Sequence, residues 1–368
     1  MRLLVVTNDF PPTVGGIENY IYSLVRRWPP EDVFVVTRAV PGSEAFDAAQ
    51  QFEIQRHETE TLMPAPDLLR SLKGLVKQRS IDAVHFPSSL PLGLMGRSLG
   101  RPYALSVHGG EFRLASRLPV ARTLLKRVCA GANLILPESS FAAGLVTELM
   151  GERAVLSTVT CGVDAERYGK EVAPAVEVGA QGPVIVCVTR LVPRKGPRTL
   201  IRCLPQVHRA HPHTHLLIVG GGPDLKALKK LAEHYRVAGS VTFAGPQPWD
   251  RIPSYYSAGD IFALPTRSRF LGTETEGLPL VFVEAAATSL PLIGGDAGGV
   301  SDAVREGKTG FLVDGSIPRR SAEAIIRLLD DPELLSCMGA AARRMVEEEF
   351  TWDAIARTYR ASMLEHCR

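Results

Sequence analysis

The sequence predicts an α/β protein built from two similar halves, and three observations carry that reading. Short runs rich in apolar and β-branched residues recur along the chain. Helical patterns separate several of them, the signature of parallel sheets covered on both faces. The pattern then restarts after a stretch at 169–182 that carries Pro174, Gly179 and Gly182 and little periodicity, which reads as an interdomain linker.

In chain order, residues 2–7 (RLLVVT) read as a buried strand, broken by NDFPP at 8–12. Gly15 and Gly16 then open a helix carrying Ile17, Tyr20, Ile21, Leu24 and Val25. A strand, a glycine loop and a helix form a βα unit whose backbone a ligand can approach closely. Alone, the glycine pair is equally a plain turn, and it is not the GxGxxG dinucleotide fingerprint. Further strands are expected at 33–37, 83–86, 103–107 and 134–136. After the linker come a strand at 184–188, the loop RLVPRKG at 190–196, and a helix from about Thr199 to Ala210. Then follow strands at 216–219, 241–243 and 261–264, with Gly220, Gly221 and Gly222 leading into a lysine-rich helix. An amphipathic run to Glu349 closes this half, and a last helix begins at about Trp352.

Composition narrows the function. The 368 residues suffice for two ordinary domains, and 45% hydrophobic with 22% charged residues describes substantial cores. A net charge of +3 is too small to make nucleic acid a bulk partner. The six cysteines show no metal spacing and read as reduced core residues of a cytoplasmic protein. The chain begins a strand at once, so no signal peptide is expected. No apolar run approaches the roughly 18 residues that span a bilayer, so any membrane role is peripheral.

The densest stretch runs from Thr273 to Gly299. Glu276 sits in a loop after the strand at 261–264, and Glu284 about two turns along the helix that follows. A helix start offers unpaired N–H groups and the positive end of a dipole, a seat for phosphate. A carboxylate ahead of it can grip sugar hydroxyls, and one further along a ribose. The alternative is a strand, loop and helix with two solvated glutamates. Arg190 and Lys195 follow a strand end five residues apart and suit a diphosphate leaving group. His108 follows the strand ending at Val107, where ligands of open α/β sheets bind. Two segments have basic amphipathic character. Residues 68–79 place Leu68, Leu69, Leu72, Leu75 and Val76 on one face, and residues 113–127 hold Arg113, Arg117, Arg122, Lys126 and Arg127 with no acid. Such helices lie on anionic membranes or face a core with solvated outer charges.

RLVPRKG, the segment EGLPLVFVE, the N-terminal strand followed by PPTVGGIE, and EGKTGFLV together resemble the GT-B glycosyltransferases of family 4, over essentially the whole chain. VTNDFPP…GGIE and RLVPRKG are most similar to GDP-mannose-dependent enzymes that build phosphatidylinositol mannosides in actinobacteria. The resemblance implies two Rossmann-like domains facing across a cleft. Residues 1–172 would be the acceptor side, with the helix 352–368 packing back on it, and 183–349 would bind the nucleotide-sugar donor. It implies that Arg190 and Lys195 bind the donor diphosphate, Glu276 the sugar hydroxyls and Glu284 the ribose. Gly277, Leu278, Pro279, Leu280 and Val281 would meet sugar and phosphates. Gly15 and Gly16 would lie beside the phosphate, and His108 near the transferred sugar and acceptor. Such enzymes retain anomeric configuration without cofactor or metal, and no DxD occurs in the chain. Losing Arg190 or Lys195 should cost on the order of several kcal/mol of barrier. The partners implied are GDP-mannose, a lipid or glycolipid acceptor and the cytoplasmic face of the membrane.

The loop 267–275 departs from the glycine-rich version found in many lipid mannosyltransferases. Competing readings are a UDP- or ADP-sugar donor with a soluble or polysaccharide acceptor, and a nucleotide-sugar-binding protein without catalysis. A nicotinamide-dependent oxidoreductase lacks its glycine fingerprint here.

Overall fold

The computed structural model describes residues 1–13, 15–169, 172–175, 181–269 and 275–368. Parts of the expected linker at 169–182 and of the loop 267–275 therefore lie outside the described residues. The chain forms two compact units, Met1–Cys161 with Trp352–Arg368, and Gly162–Thr351.

The first unit holds six strands: β1 (Leu3–Val6), β2 (Val33–Arg38), β3 (Glu53–His57), β4 (Ala83–Phe86), β5 (Tyr103–Val107) and β6 (Leu134–Pro137). Their order is β3-β2-β1-β4-β5-β6, with every pairing parallel. The second unit holds β7 (Val184–Val188), β8 (His215–Val219), β9 (Val241–Gly245), β10 (Ile261–Leu264), β11 (Leu292–Gly295) and β12 (Gly310–Val313). Their order is β12-β11-β10-β7-β8-β9, again parallel throughout. Counted within its unit, each sheet reads 3-2-1-4-5-6. The direction of winding reverses between the first and fourth strands, and a crevice opens at their carboxyl ends. That switch point falls between β1 and β4 in one unit and between β7 and β10 in the other.

The central strands are buried apolar runs because helices cover both faces. Three strands escaped the sequence reading. β3 is an edge strand with a half-exposed, polar sequence, whereas β11 and β12 are short and rich in glycine. At Gly310, with φ of +159°, a Cβ would stand 1.8 Å from the Leu292 carbonyl oxygen. Close strand approach there requires glycine and hides the strand from an apolar-run search.

Three expectations need correction, and at one helix the core-facing alternative holds. The first unit ends at Cys161 rather than 172, because Val163 N–H donates to the Phe350 carbonyl at 2.7 Å and the Tyr168 hydroxyl to Glu284 at 3.1 Å, both within the second unit. The helix Pro66–Gln78 turns Leu68, Leu72, Leu75 and Val76 into the first unit's core. At about 1.5–3 kcal/mol for each fully buried apolar side chain, that face belongs to the core and is not open to a bilayer. Residues 113–127 are not one helix but parts of two, Gly109–Arg117 and Pro119–Cys129. Pro119 excludes the helical conformation from Leu118, which sits at φ −89° and ψ 121°. Of the six free cysteines, Cys337 is exposed while the other five are buried.

The last helix, Trp352–His366, joins the first unit. Its Tyr359 hydroxyl bonds His85 Nδ1 at 2.8 Å, and the other ring nitrogen of His85 bonds Ser106 Oγ at 2.9 Å. Burial pushes His85 down to about 3, so the ring is neutral. Arg27 pairs with Asp353 of the same helix at 2.6 Å.

Candidate active site

In the second unit, β7 and β10 are neighbours, so the loops that follow them leave the sheet side by side. The loop after β7 ends at Gly196, which caps the helix Pro197–Ala210 with φ of +83°. A Cβ there would stand 2.1 Å from the Pro265 carbonyl oxygen, so the glycine lets the two loops touch. Arg267 N–H donates to the Arg194 carbonyl at 2.9 Å and laces them together.

The result is a charge cluster. Lys195 Nζ donates to Glu276 Oε2 and Arg194 Nη1 to Glu276 Oε1, each at 2.8 Å. The three side chains are only 14%, 17% and 8% exposed for Lys195, Arg194 and Glu276. Burial lowers the Lys195 ammonium below its ordinary range; Glu276 raises it, and the nearby Arg194 and Arg190 lower it again. Arg190 is exposed and pairs with no carboxylate among the described residues. Arg190, beside the Lys195–Glu276 pair, adds positive charge that an anion such as a diphosphate would relieve.

Behind Glu276 the chain is seated by the glycines at 294–299. Gly299 N–H donates to the Glu276 carbonyl at 3.3 Å, and Gly298, with φ of +62°, would carry a Cβ only 2.0 Å from that oxygen. After Gly277, Leu278 and Pro279 the helix Leu280–Ala287 begins without a side-chain cap. Its first-turn N–H groups, at Leu280 and Val281, form the positive end of the dipole next to the cluster. Glu284, in the same helix, is not solvated. It accepts the Tyr168 hydroxyl at 3.1 Å and the Tyr256 hydroxyl at 2.8 Å. Burial raises its carboxyl above the usual range, against the pull of those two hydrogen bonds.

In the first unit, Gly15 precedes the helix Gly16–Val25 in extended backbone, and the Glu18 carboxylate folds over it. Gly16 has open space where a side chain would be, so nothing in this unit itself demands a glycine there. His108 follows β5 and is paired with Glu138, which follows β6. Its Nδ1 lies 2.8 Å from Glu138 Oε2 and its Nε2 lies 2.9 Å from the Pro87 carbonyl oxygen. Beside it is a cavity of about 180 Å³ lined by Ser88, Ser89, Ser106, His108, Glu111 and Phe112.

Lys195 and Glu276 are therefore brought into contact, with Arg190 exposed nearby. Glu284 belongs to a separate tyrosine network, and Gly15, Gly16 and His108 lie in the other unit. Four participants went unnoticed in the sequence: Arg194, Glu138, Tyr168 and Tyr256. Arg194 was legible as a third cation of the same loop; the others become visible only through strand register and helix packing. Among the described residues, no group of three or more His, Cys, Asp or Glu is placed to hold a metal.

Comparison with known proteins decides the family. The family described as glycosyltransferase family 4 matches residues 14–167, and glycosyl transferases group 1 matches residues 172–345. A Mycobacterium tuberculosis protein is 37% identical over 370 residues, covering 96% of each chain. It is named a GDP-mannose-dependent alpha-(1-6)-phosphatidylinositol monomannoside mannosyltransferase. This chain belongs to the GT-B glycosyltransferases of family 4. A Corynebacterium glutamicum relative of this glycosyltransferase is 34% identical over 365 residues, covering 96% of this chain and 95% of its own. Its name specifies a monoacylated phosphatidylinositol monomannoside acceptor. The fold of the glycosyltransferase matches that of Anabaena HepE in complex with UDP, with a TM-score of 0.81 at 19% identity, over 99% of this chain and all of that one.

Proposed function

We propose that this glycosyltransferase moves mannose from GDP-mannose to a phosphatidylinositol mannoside, retaining the anomeric configuration and using no metal. The observation that carries the reading is the identity, over nearly the whole chain, with relatives named for that donor and acceptor. The charge cluster of the second unit supports it. In this reading Arg190, Lys195 and the amides at 277–281 hold the diphosphate, Glu276 meets the hydroxyls of the sugar, and Glu284 meets the ribose.

The bond from the anomeric carbon to the diphosphate oxygen breaks as the acceptor hydroxyl attacks on the same face. The departing phosphate oxygen takes the acceptor's proton, so no side chain serves as nucleophile. Arg190 and Lys195 stabilise the negative charge that grows on the diphosphate. In the same reading Gly15, Gly16 and His108 are the first unit's own candidates for ligand contact.

The acceptor side would meet the inner face of the membrane through the junction of the helices Gly109–Arg117 and Pro119–Cys129. Leu114, Leu118 and Val120 are 54%, 53% and 76% exposed there, among Arg113, Arg122, Lys126 and Arg127. Apolar tips flanked by cations suit an anionic bilayer, and no described helix is long and apolar enough to cross a membrane.

The test is transfer from GDP-mannose to phosphatidylinositol monomannoside by purified protein in the presence of a chelator, with the product's linkage read by NMR. An α-mannosyl product supports the reading. Turnover of UDP-glucose but not GDP-mannose would move the donor assignment to the competing reading, and inversion would overturn the mechanism.

A further inference from the structure

β5 and β6 pair in parallel with Val107 opposite Pro137, so the residues after them, His108 and Glu138, emerge side by side. Both side chains are largely buried. The imidazole is bonded at both nitrogens, and its partners limit where the protons can be. The Pro87 carbonyl oxygen only accepts, so Nε2 must carry a proton. At Nδ1 the proton sits either on the ring or on Glu138. The other Glu138 oxygen takes the Gly109 N–H at 3.3 Å, so the carboxyl group faces a donor at each oxygen and the proton at Nδ1 is placed on the ring. Both ring nitrogens therefore donate.

We propose that Glu138 is the positioning residue for His108, fixing it with the Pro87 carbonyl as an imidazolium, so that it serves the reaction as a stationary cation and not as a proton acceptor. This rests on the reading of His108 as a residue of the transfer site. A neutral histidine with a free nitrogen could take the acceptor's proton; this ring, with both nitrogens committed, cannot. Its charge instead stands beside the cavity, where Ser88, Ser89 and Ser106 offer hydroxyls among Leu90, Val107, Phe112, Ala115 and Leu125.

The surroundings agree. Burial opposes the charge, yet Glu138, the Pro87 carbonyl and Glu111 together raise His108 above the ordinary imidazole range. The other groups facing it add no positive charge. Tyr20, from the helix Gly16–Val25, stands edge-on with ring centroids 5.8 Å apart, and burial raises its hydroxyl well above the usual range. His85 of β4 is neutral, its own protonation disfavoured by burial and by the His108 charge. Cys161 is buried and held as a thiol. Because the folded value is raised, the charge is complete below the ordinary imidazole range and is lost as pH rises through the folded value.

The experiment uses full-length protein labelled with 15N-histidine, the His108 signals being assigned with His108→Asn, beside kinetics of Glu138→Gln and Glu138→Asp. In the wild type at neutral pH, both ring nitrogens should show proton-bearing shifts. Glu138→Gln should convert one to the unprotonated type and lower kcat about 10²-fold. It should also move the alkaline limb of the pH profile to lower pH, with Glu138→Asp restoring part of both. A wild-type ring with one unprotonated nitrogen would overturn the proposal. So would a Glu138→Gln enzyme of full activity whose ring has lost its second proton. Failure of the transferase reading would show separately, as wild-type protein with the expected ring signals and no turnover of GDP-mannose.

Discussion

In the second unit the loops after β7 and β10 converge on charge, with Arg194 and Lys195 on the two oxygens of Glu276 and Arg190 exposed beside them. In the first unit the equivalent loops, after β1 and β4, carry Gly15, Gly16, Ser88 and Ser89. The charge lies one strand further out, where His108 meets Glu138. Both sheets have the same strand order, so topology supplies only the crevice. The residues seated on it decide what it holds: cations suit a polyanion, whereas serine hydroxyls among apolar side chains, beside a single ion pair, suit the sugar portion of an acceptor.

Breaking the second unit's side of this contrast should have the largest effect. Lys195→Ala should lower kcat/KM for transfer by about 10²–10³-fold, because in the proposed reading it removes a cation from the leaving group. Steady-state kinetics with GDP-mannose would show it, and an unchanged kcat/KM would detach the cluster from the reaction. Arg190 and Arg194 should then separate. Arg190 is exposed, so Arg190→Ala should change stability by no more than about 0.5 kcal/mol while activity falls. Arg194→Ala strips a buried carboxylate of a partner and should cost about 1–3 kcal/mol in urea unfolding. Equal stability of the two variants would argue against an internal role for Arg194.

The first unit should be marked by acid instead. His85 is neutral in the fold, with its protonation pushed down to about 3. Its contribution is present above the ordinary imidazole range and is lost as pH falls from about 6.5 toward that folded value, on the order of several kcal/mol at the acid end. Urea unfolding across this range should show the loss for wild type, and His85→Asn should flatten it. The smallest effect is expected at Tyr256→Phe, which leaves Glu284 with Tyr168 alone. Thermal unfolding should report a loss of about 1 kcal/mol, and no loss would mean that Tyr168 suffices.

How much of this was legible from sequence differs by kind of residue. Strands made of valine, isoleucine and leucine announced themselves because both faces are buried, as at 3–6 and 184–188. β3 did not, since an edge strand needs no apolar run, and β11 and β12 did not, since close backbone approach selected glycine. Among site residues, Arg190, Lys195, Glu276 and Glu284 stood out as charges on loops or helix starts after strands. Their partners did not stand out. Glu138 reaches His108 only through the β5–β6 register, and Tyr168 reaches Glu284 across 116 residues of chain. For the same reason the helix at 66–78 stood open between core and membrane: periodicity reveals an apolar stripe but not what covers it.

The claim that matters most is that the cations around Glu276 seat a nucleoside diphosphate. Calorimetric titration with GDP, UDP, ADP and guanosine, without added metal, tests it directly when wild type is compared with Lys195→Ala. The account predicts that GDP binds, that guanosine binds far more weakly, and that Lys195→Ala loses at least about tenfold in affinity, about 1.4 kcal/mol. GDP binding equally well to both proteins, or no nucleotide binding at all, would contradict it.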